Sequence, residues 1–400
     1  MFILKVAMSS RSLVFGFLFC IGFFFKCLIG CGSLRADEPV DLIAVLRLSG
    51  ESIDRSGLEG MLETNTPINA FGGLSAIDYT GSDNRYIALS DRGAGDGAAS
   101  FPCRFHTLRL VVDPLQHTIG FQFEKTTMLR DQQGRSMTGS LDRLKGWNEP
   151  GRCPSYDPEG VRCLGNDTLV ISDEYGPYID LFGIDGSHRK SFQLPTTFPL
   201  SERRTVPFTE GAFTNRGFEG VALSSDRKTI IGAMQGPLVQ DGRIEKSKCI
   251  GLWTRWLVID IETGKTKQLA YPMDDETTGV SEVLSVDANR YLVLERDSTS
   301  GDMAKIKKIY LADVSSASDV TAVASIRDGL PRGSAGIQKR LLIDLLDPKY
   351  GFKGPETPEK PEGITWGPSL PDGRRLLMLC FDNDFNPANP TIFAAFAVKL

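Results

Sequence analysis

A chain of 400 residues with a formal net charge of −5, 41% hydrophobic and 24% charged residues has ordinary globular composition and enough apolar material for a sizeable core. The charge is mildly acidic and evenly mixed, with no basic block or Lys/Arg-rich helix, which argues against nucleic acid as a partner. Glycine at 41 residues and proline at 22, without low-complexity runs, fit many tight turns between short strands.

In chain order, the first element is a targeting segment over residues 1–36. Lys5 and Arg11 precede LVFGFLFCIGFFF, an apolar run of signal-peptide length and too short for a membrane span. Two processing endings stay open. LIGC, ending at Cys31 and followed by Gly32 and Ser33, resembles a bacterial lipobox, and cleavage there would leave Cys31 lipidated and the chain attached to a membrane. Cleavage after Ala36 would release a chain beginning at Asp37. Lys26 interrupts the apolar stretch and weighs against the lipobox. Either way, residues 37–400 are expected to be one exported domain. Of the eight cysteines, Cys20, Cys27 and Cys31 belong to the leader. In an oxidising compartment one bridge among Cys103, Cys153 and Cys163 is expected. The absence of C-x-x-C speaks against a zinc ribbon or a thioredoxin-type site.

Beyond the leader, one pattern recurs. It reads FGGLSAIDYTGSDNRYIALSDRG from Phe71, DPEGVRCLGNDTLVISDEYGP from Asp157 and GFEGVALSSDRKTIIGAMQGPL from Gly217. It returns as VSEVLSVDANRYLVLERDST from Val280 and KPEGITWGPSLPDGRRLLMLCFDNDF from Lys360. Each copy has a small or acidic residue, a short apolar strand, an Asp/Asn/Gly turn, a stronger strand and a polar cluster. Further strand-like runs follow, among them YIDLFGIDG, GLWTRWLVIDIETG, IKKIYLADV and VTAVASI. Each copy therefore opens a unit of about four antiparallel strands, the pattern of a propeller blade. VDLIAVLRLSG near the start and PTIFAAFAVKL at the end are both β-rich and can share one blade. The expected fold is all-β: a propeller of four-stranded antiparallel blades, five evident, closed by N- and C-terminal strands. The spacers at residues 100–155 and 325–360 leave room for a sixth, and a β-sandwich is the competing architecture.

The start of the innermost strand lies near the central channel, so equivalent positions in different blades converge there. The acids read as equivalent are Glu159, Glu219, Glu282 and Glu362. Four carboxylates near one axis repel, and a hard divalent cation with several oxygen ligands relieves that, calcium tolerating irregular geometry best. A second group closes the next strands: Asp91 with Arg92, Asp173 with Glu174, Glu295 with Arg296, and Asp382 with Asp384. The metal-ligand set is thus Glu159, Glu219, Glu282, Glu362, Asp382 and Asp384, and the catalytic set Glu159, Asp173, Glu174, Arg92 and Arg296. Arg92 and Arg296 suit a phosphate or carboxylate, so the expected partner is a small anionic ester. No G-x-S-x-G elbow, H-E-x-x-H, P-loop or dinucleotide fingerprint occurs, and the three histidines sit in unrelated contexts.

The segments DPEGVRC, SDEYGPYIDLFGIDG, NRGFEGVAL, YLVLERD and FDNDF, with FGGLSAIDY and ALSDRG, together resemble the phytase-like family, named for an esterase-like activity of phytase. The resemblance runs from about residue 65 to the end. It implies a propeller-like fold and, by name, a relation to calcium-dependent β-propeller phytases, and it supports a fold more strongly than a reaction. Two functional expectations follow. One is an exported, calcium-assisted hydrolase of phosphate or related esters; the other is a non-catalytic cell-envelope binding propeller with a structural channel cation. A lactonase-like hydrolase is a third.

Overall fold

The five recurring motifs fold as the inner two strands of five antiparallel sheets. The computed structural model describes residues 39–144, 153–198, 209–213, 215–246 and 248–400. The leader, its lipobox and its three cysteines lie outside the described residues. The chain opens with β1 (Val40–Leu48), which waits for the C-terminus. The first blade is β2 (Leu74–Tyr79), β3 (Arg85–Ser90), β4 (Arg104–Asp113) and β5 (Thr118–Met128). The second is β6 (Pro158–Gly165), β7 (Thr168–Asp173), β8 (Tyr178–Gly183) and β9 (His188–Ser191). In the third, β10 (Phe218–Leu223) and β11 (Thr229–Met234) are followed by a small hairpin, β12 (Arg243–Glu245) with β13 (Lys248–Ile250). That blade is completed by β14 (Trp253–Asp260) and β15 (Thr266–Pro272). The fourth is β16 (Gly279–Ser285), β17 (Arg290–Arg296), β18 (Lys307–Asp313) and β19 (Gln338–Asp344). The fifth is β20 (Lys360–Ser369), β21 (Arg375–Asp382) and β22 (Thr391–Val398), with β1 as its outer strand.

The inner strands β2, β6, β10, β16 and β20 touch in a closed cycle, so the sheets form a five-bladed β-propeller rather than a sandwich. Closure is antiparallel, from Val40 opposite Val398 to Leu48 opposite Thr391. Short turns join the strands; Asn166 and Asp167 between β6 and β7 take φ of 48° and 53°, a geometry these residues tolerate. The spacers that left room for a sixth blade are used by the blades themselves. Residues 100–155 hold β4 and β5, and residues 325–360 hold β19. One strand expectation fails: VTAVASI, residues 320–326, is not a strand. Val320 and Ile326 both turn inward against Ala270, and Gln268 N donates to Thr321 Oγ1, so this run caps the edge of the third blade.

The core consists of the seams between blades. On β22, Ile392, Ala394, Phe396 and Val398 pack toward the fourth blade, while Phe393, Ala395 and Ala397 pack toward the first. Every residue of that strand is buried, which is why it reads TIFAAFAV without polar alternation. Near the axis the seams tighten to backbone contact. A Cβ at Gly220 would lie 2.7 Å from Val283 N, and one at Gly363 2.7 Å from Ala76 Cα. The glycine after the inner-strand acid thus admits the neighbouring blade. Gly220→Ala is expected to destabilise the fold by about 1–3 kcal/mol through this overlap, measured by denaturant unfolding; an unchanged midpoint would show that the seam yields.

Arg162, from β6, fills the centre of the ring. Its guanidinium donates to Ile77 O (3.3 Å), Val283 O (2.7 Å) and Ile364 O (3.3 Å), on the inner strands of three other blades. It also pairs with Glu282 at 3.0 Å, and both side chains are almost wholly enclosed. One cavity opens at the start of the inner strands, and a second, smaller one, lined by Arg162, at their ends.

Candidate functional site

Each inner strand begins with a β-bulge. The pairing skips Ser75 in β2, Glu219 in β10, Ser281 in β16 and Glu362 in β20, and skips Glu159 with Gly160 in β6. A bulged residue leaves the alternation of its strand and is re-aimed. All five of these residues, Ser75, Glu159, Glu219, Ser281 and Glu362, line the same 580 Å³ cavity at the channel mouth.

That geometry corrects the alignment of acids read from the sequence. In β16 the residue equivalent to Glu159, Glu219 and Glu362 is Ser281, and Glu282 stands where those three strands carry glycine. Glu282 does not face the cavity. Its carboxylate accepts from Val221 N (3.1 Å) and Val283 N (2.9 Å) and pairs with Arg162. Burial pushes it up to about 8, against the pull of Arg162 and those backbone donors.

The ends of the second strands supply the remaining wall. Asp91, Arg92, Glu174, Gln235, Arg296 and Asp382 all line the cavity, as does Asp384. Asp173 does not: it is fully buried, accepting from Asp157 N (2.7 Å) and Gly176 N (2.5 Å), and it braces the turn. The structure adds Asp157, which the motif contains but which the sequence sets pass over. Asp157, Glu159 and Glu174 each bring one oxygen within 4.8 Å of the others. The D-P-E spacing was the available signal.

Charge in this cavity is unevenly satisfied. Both terminal nitrogens of Arg92 are engaged: Nη1 reaches Asp157 at 2.5 Å and Glu174 at 3.4 Å and also bonds Asn215, and Nη2 reaches Asp96 at 3.0 Å. Arg296 pairs with Glu362 at 2.6 Å and donates to Ser281 Oγ at 3.0 Å. Lys360 pairs with Asp382 at 3.1 Å and with Asp384. Glu159, by contrast, has no side-chain hydrogen bond or ion pair among the described residues. Glu174 Oε1 and Glu219 Oε2 are buried without a partner. Burial and neighbouring acids push Glu159, Glu219 and Asp91 well up and raise Glu174 to about 7. The open oxygens of Glu159, Glu174 and Glu219, mutually repelling, fit a hard divalent cation, with Asp157 completing the group although its two oxygens already accept from Arg92. Of the six ligands read from sequence, Glu362, Asp382 and Asp384 are held instead by protein cations.

Other groups stay out of the chemistry. Ser75 Oγ donates to Pro158 O (2.9 Å), bracing the seam between blades. His106 and Ser90 approach to 3.1 Å, yet both are fully buried inside the first blade. The expected bridge among Cys103, Cys153 and Cys163 is not formed: Cys103 and Cys163 are free thiols, and Cys103 Sγ lies 3.3 Å from Tyr156 O instead.

Comparison with known proteins bears on the whole fold. A family model described as Phytase-like, "Esterase-like activity of phytase", matches residues 69–385. An "Uncharacterized secreted protein" of Arthroderma benhamiae is 25% identical over 404 residues, covering 78% of each chain. Among solved structures, the periplasmic gluconolactonase of Pseudomonas aeruginosa covers 90% of this chain and 100% of its own at 13% identity and a TM-score of 0.38. Hydrazine synthase of Kuenenia stuttgartiensis covers 83% of this chain and 80% of its own at 10% identity and a TM-score of 0.35. The family match spans most of the propeller, all five bulged positions and the acidic cluster included, and the chain belongs to the phytase-like family.

Proposed function

We propose that the chain is an exported hydrolase of phosphate or related esters, assisted by a calcium ion. One observation carries this reading: three buried carboxylates, Asp157, Glu159 and Glu174, converge beside an open cavity, where Glu174 Oε1 is unpartnered and Glu159 has no side-chain hydrogen bond among the described residues. The secreted relative supports export. A bound calcium would supply Lewis acidity toward an ester oxygen and toward water. Arg92 holds Asp157 and Glu174 in place from the protein side. Glu219, anchored through Oε1 to Gln235 Nε2 at 2.7 Å, lines the same cavity and would take a proton from an attacking water. Arg296 orients Glu362 on the opposite wall.

The purified mature chain is expected to hydrolyse p-nitrophenyl phosphate, to lose that activity in chelator, and to recover it with calcium. Glu159→Gln should lower kcat by about 100-fold or more. Activity indifferent to chelation removes the calcium. No turnover on phosphate, carboxylate-ester and lactone panels would favour the second reading, a binding propeller with a structural cation.

A further inference from the structure

The cavity wall holds five basic side chains, and three of them, Arg92, Arg296 and Lys360, are engaged by acids of the protein. Arg216 lines the same cavity with no side-chain hydrogen bond or ion pair among the described residues. Its place is fixed by glycines. A Cβ at Gly217 would lie 2.8 Å from Glu174 Cα, so the chain enters β10 hard against the Glu174 turn. The guanidinium rests over Gly236 and Gly279; a Cβ at Gly279 would stand 3.3 Å from its Nη1. Side chains at those positions would cover it, and none is present. Arg216 feels the charges of Glu174 and Glu219 yet bonds neither. The fifth base, Lys248, is an exposed residue of the β12–β13 hairpin.

We propose that Arg216 is the anion anchor of this site, binding the phosphoryl oxygens of the substrate beside the acidic cluster. The inference rests on reading the cavity as an ester-hydrolase site. An unspent guanidinium offers two parallel N–H donors, the geometry that matches a phosphoryl group. Its position beside Glu174 and Glu219 places such a group between it and a cation on the carboxylates. The role assigned from sequence to Arg92 and Arg296 thereby passes to a residue whose donors are not already used.

The test is calorimetric titration of inorganic phosphate into the full mature chain in the presence of calcium. Arg216→Ala should weaken phosphate binding about tenfold or more, and Arg216→Lys by less, because the charge survives without the fork. Calcium affinity, titrated without phosphate, should not fall in Arg216→Ala, since Arg216 is not a ligand and its removal takes a positive charge away from Glu174 and Glu219. Lys248→Ala should leave phosphate affinity nearly unchanged. Equal phosphate affinity in Arg216→Ala and the parent overturns the proposal, as does a parent chain that binds no phosphate. The two readings separate cleanly: Arg216-dependent phosphate binding without ester turnover keeps the anchor and removes the hydrolase, whereas turnover with phosphate affinity unchanged in Arg216→Ala removes the anchor alone.

Discussion

Arg162→Met is expected to lower the unfolding free energy by about 3–5 kcal/mol, the cost of leaving a buried charge and several carbonyls without their partner. The arginine sits where the five inner strands converge, and its guanidinium is shared among the second blade and three others. Removing it strands Glu282, whose side chain is wholly enclosed and whose cation partner is Arg162. Methionine keeps much of the volume, so the loss reports charge and hydrogen bonding rather than an empty space. Well above pH 8, where Glu282 ionises, adding Glu282→Gln to Arg162→Met should recover part of the loss, because the uncompensated charge is gone while the carbonyls remain unpaired. Urea unfolding of the parent and the two variants settles it. A loss below about 1 kcal/mol for Arg162→Met would mean that water enters the channel and replaces the side chain.

Calcium should raise the melting temperature of the chelated chain by several degrees, an effect that disappears in the double variant Glu159→Gln, Glu174→Gln. At a calcium concentration 100 times the dissociation constant, binding to the folded state alone stabilises by about 2.7 kcal/mol. The pH dependence has a definite sign. Burial raises Glu174 from 4.5 to about 7, so its favourable contribution is present below its unfolded value and is lost as pH rises through the folded one. The chelated chain is therefore expected to gain stability from this group as pH falls from about 7 toward 5. Calcium requires ionised carboxylates, so its stabilising effect should be largest above pH 7 and shrink below it. In the double variant the chelated protein should be more stable than the parent at pH 7.5, because two raised acids are neutral there. Scanning calorimetry in chelator and in calcium at pH 5.5 and 7.5 reads all of this. A calcium shift of equal size in parent and double variant would place the cation elsewhere.

Much of this fold was written into the inner strands. The Asp/Asn/Gly turn and the largely apolar second strand are local, so five motifs were visible as five copies. The closing partnership of β1 and β22 was also visible, because both ends of the exported chain read as strands. Outer strands were harder. Only Ile343 of β19 is buried, and adjacent Arg340 and Leu341 are both exposed, so its pattern is weak and the apolar VTAVASI looked the better strand. At the site, recurrence of acids was legible, but bulge position was not. SEV in β16 aligned by its acid to DPEG and FEGV, although the structure aligns it by its serine; the missing glycine was the mark of the slip. Which base pairs with which acid depends on blades far apart in sequence, as with Arg92 and Asp157 or Arg296 and Glu362. No local pattern distinguishes a spent arginine from a free one such as Arg216.

The shared fifth blade has a consequence for how this chain reaches its native state. Pro39 and Lys399 end up within one backbone hydrogen bond of each other, at 2.8 Å, although nearly the whole exported chain lies between them. Blades one to four can each assemble from neighbouring sequence as it arrives, whereas β1 has no partner until β22 is complete. Pairings of such long sequence separation are slow to form, because the chain must give up its freedom before the contact repays it. Until that moment β1 is an unpaired apolar strand beside an open ring, the species most prone to pair with another molecule. Ring closure is thus a late, all-or-none event, and the interval before it is when this protein is most vulnerable to aggregation.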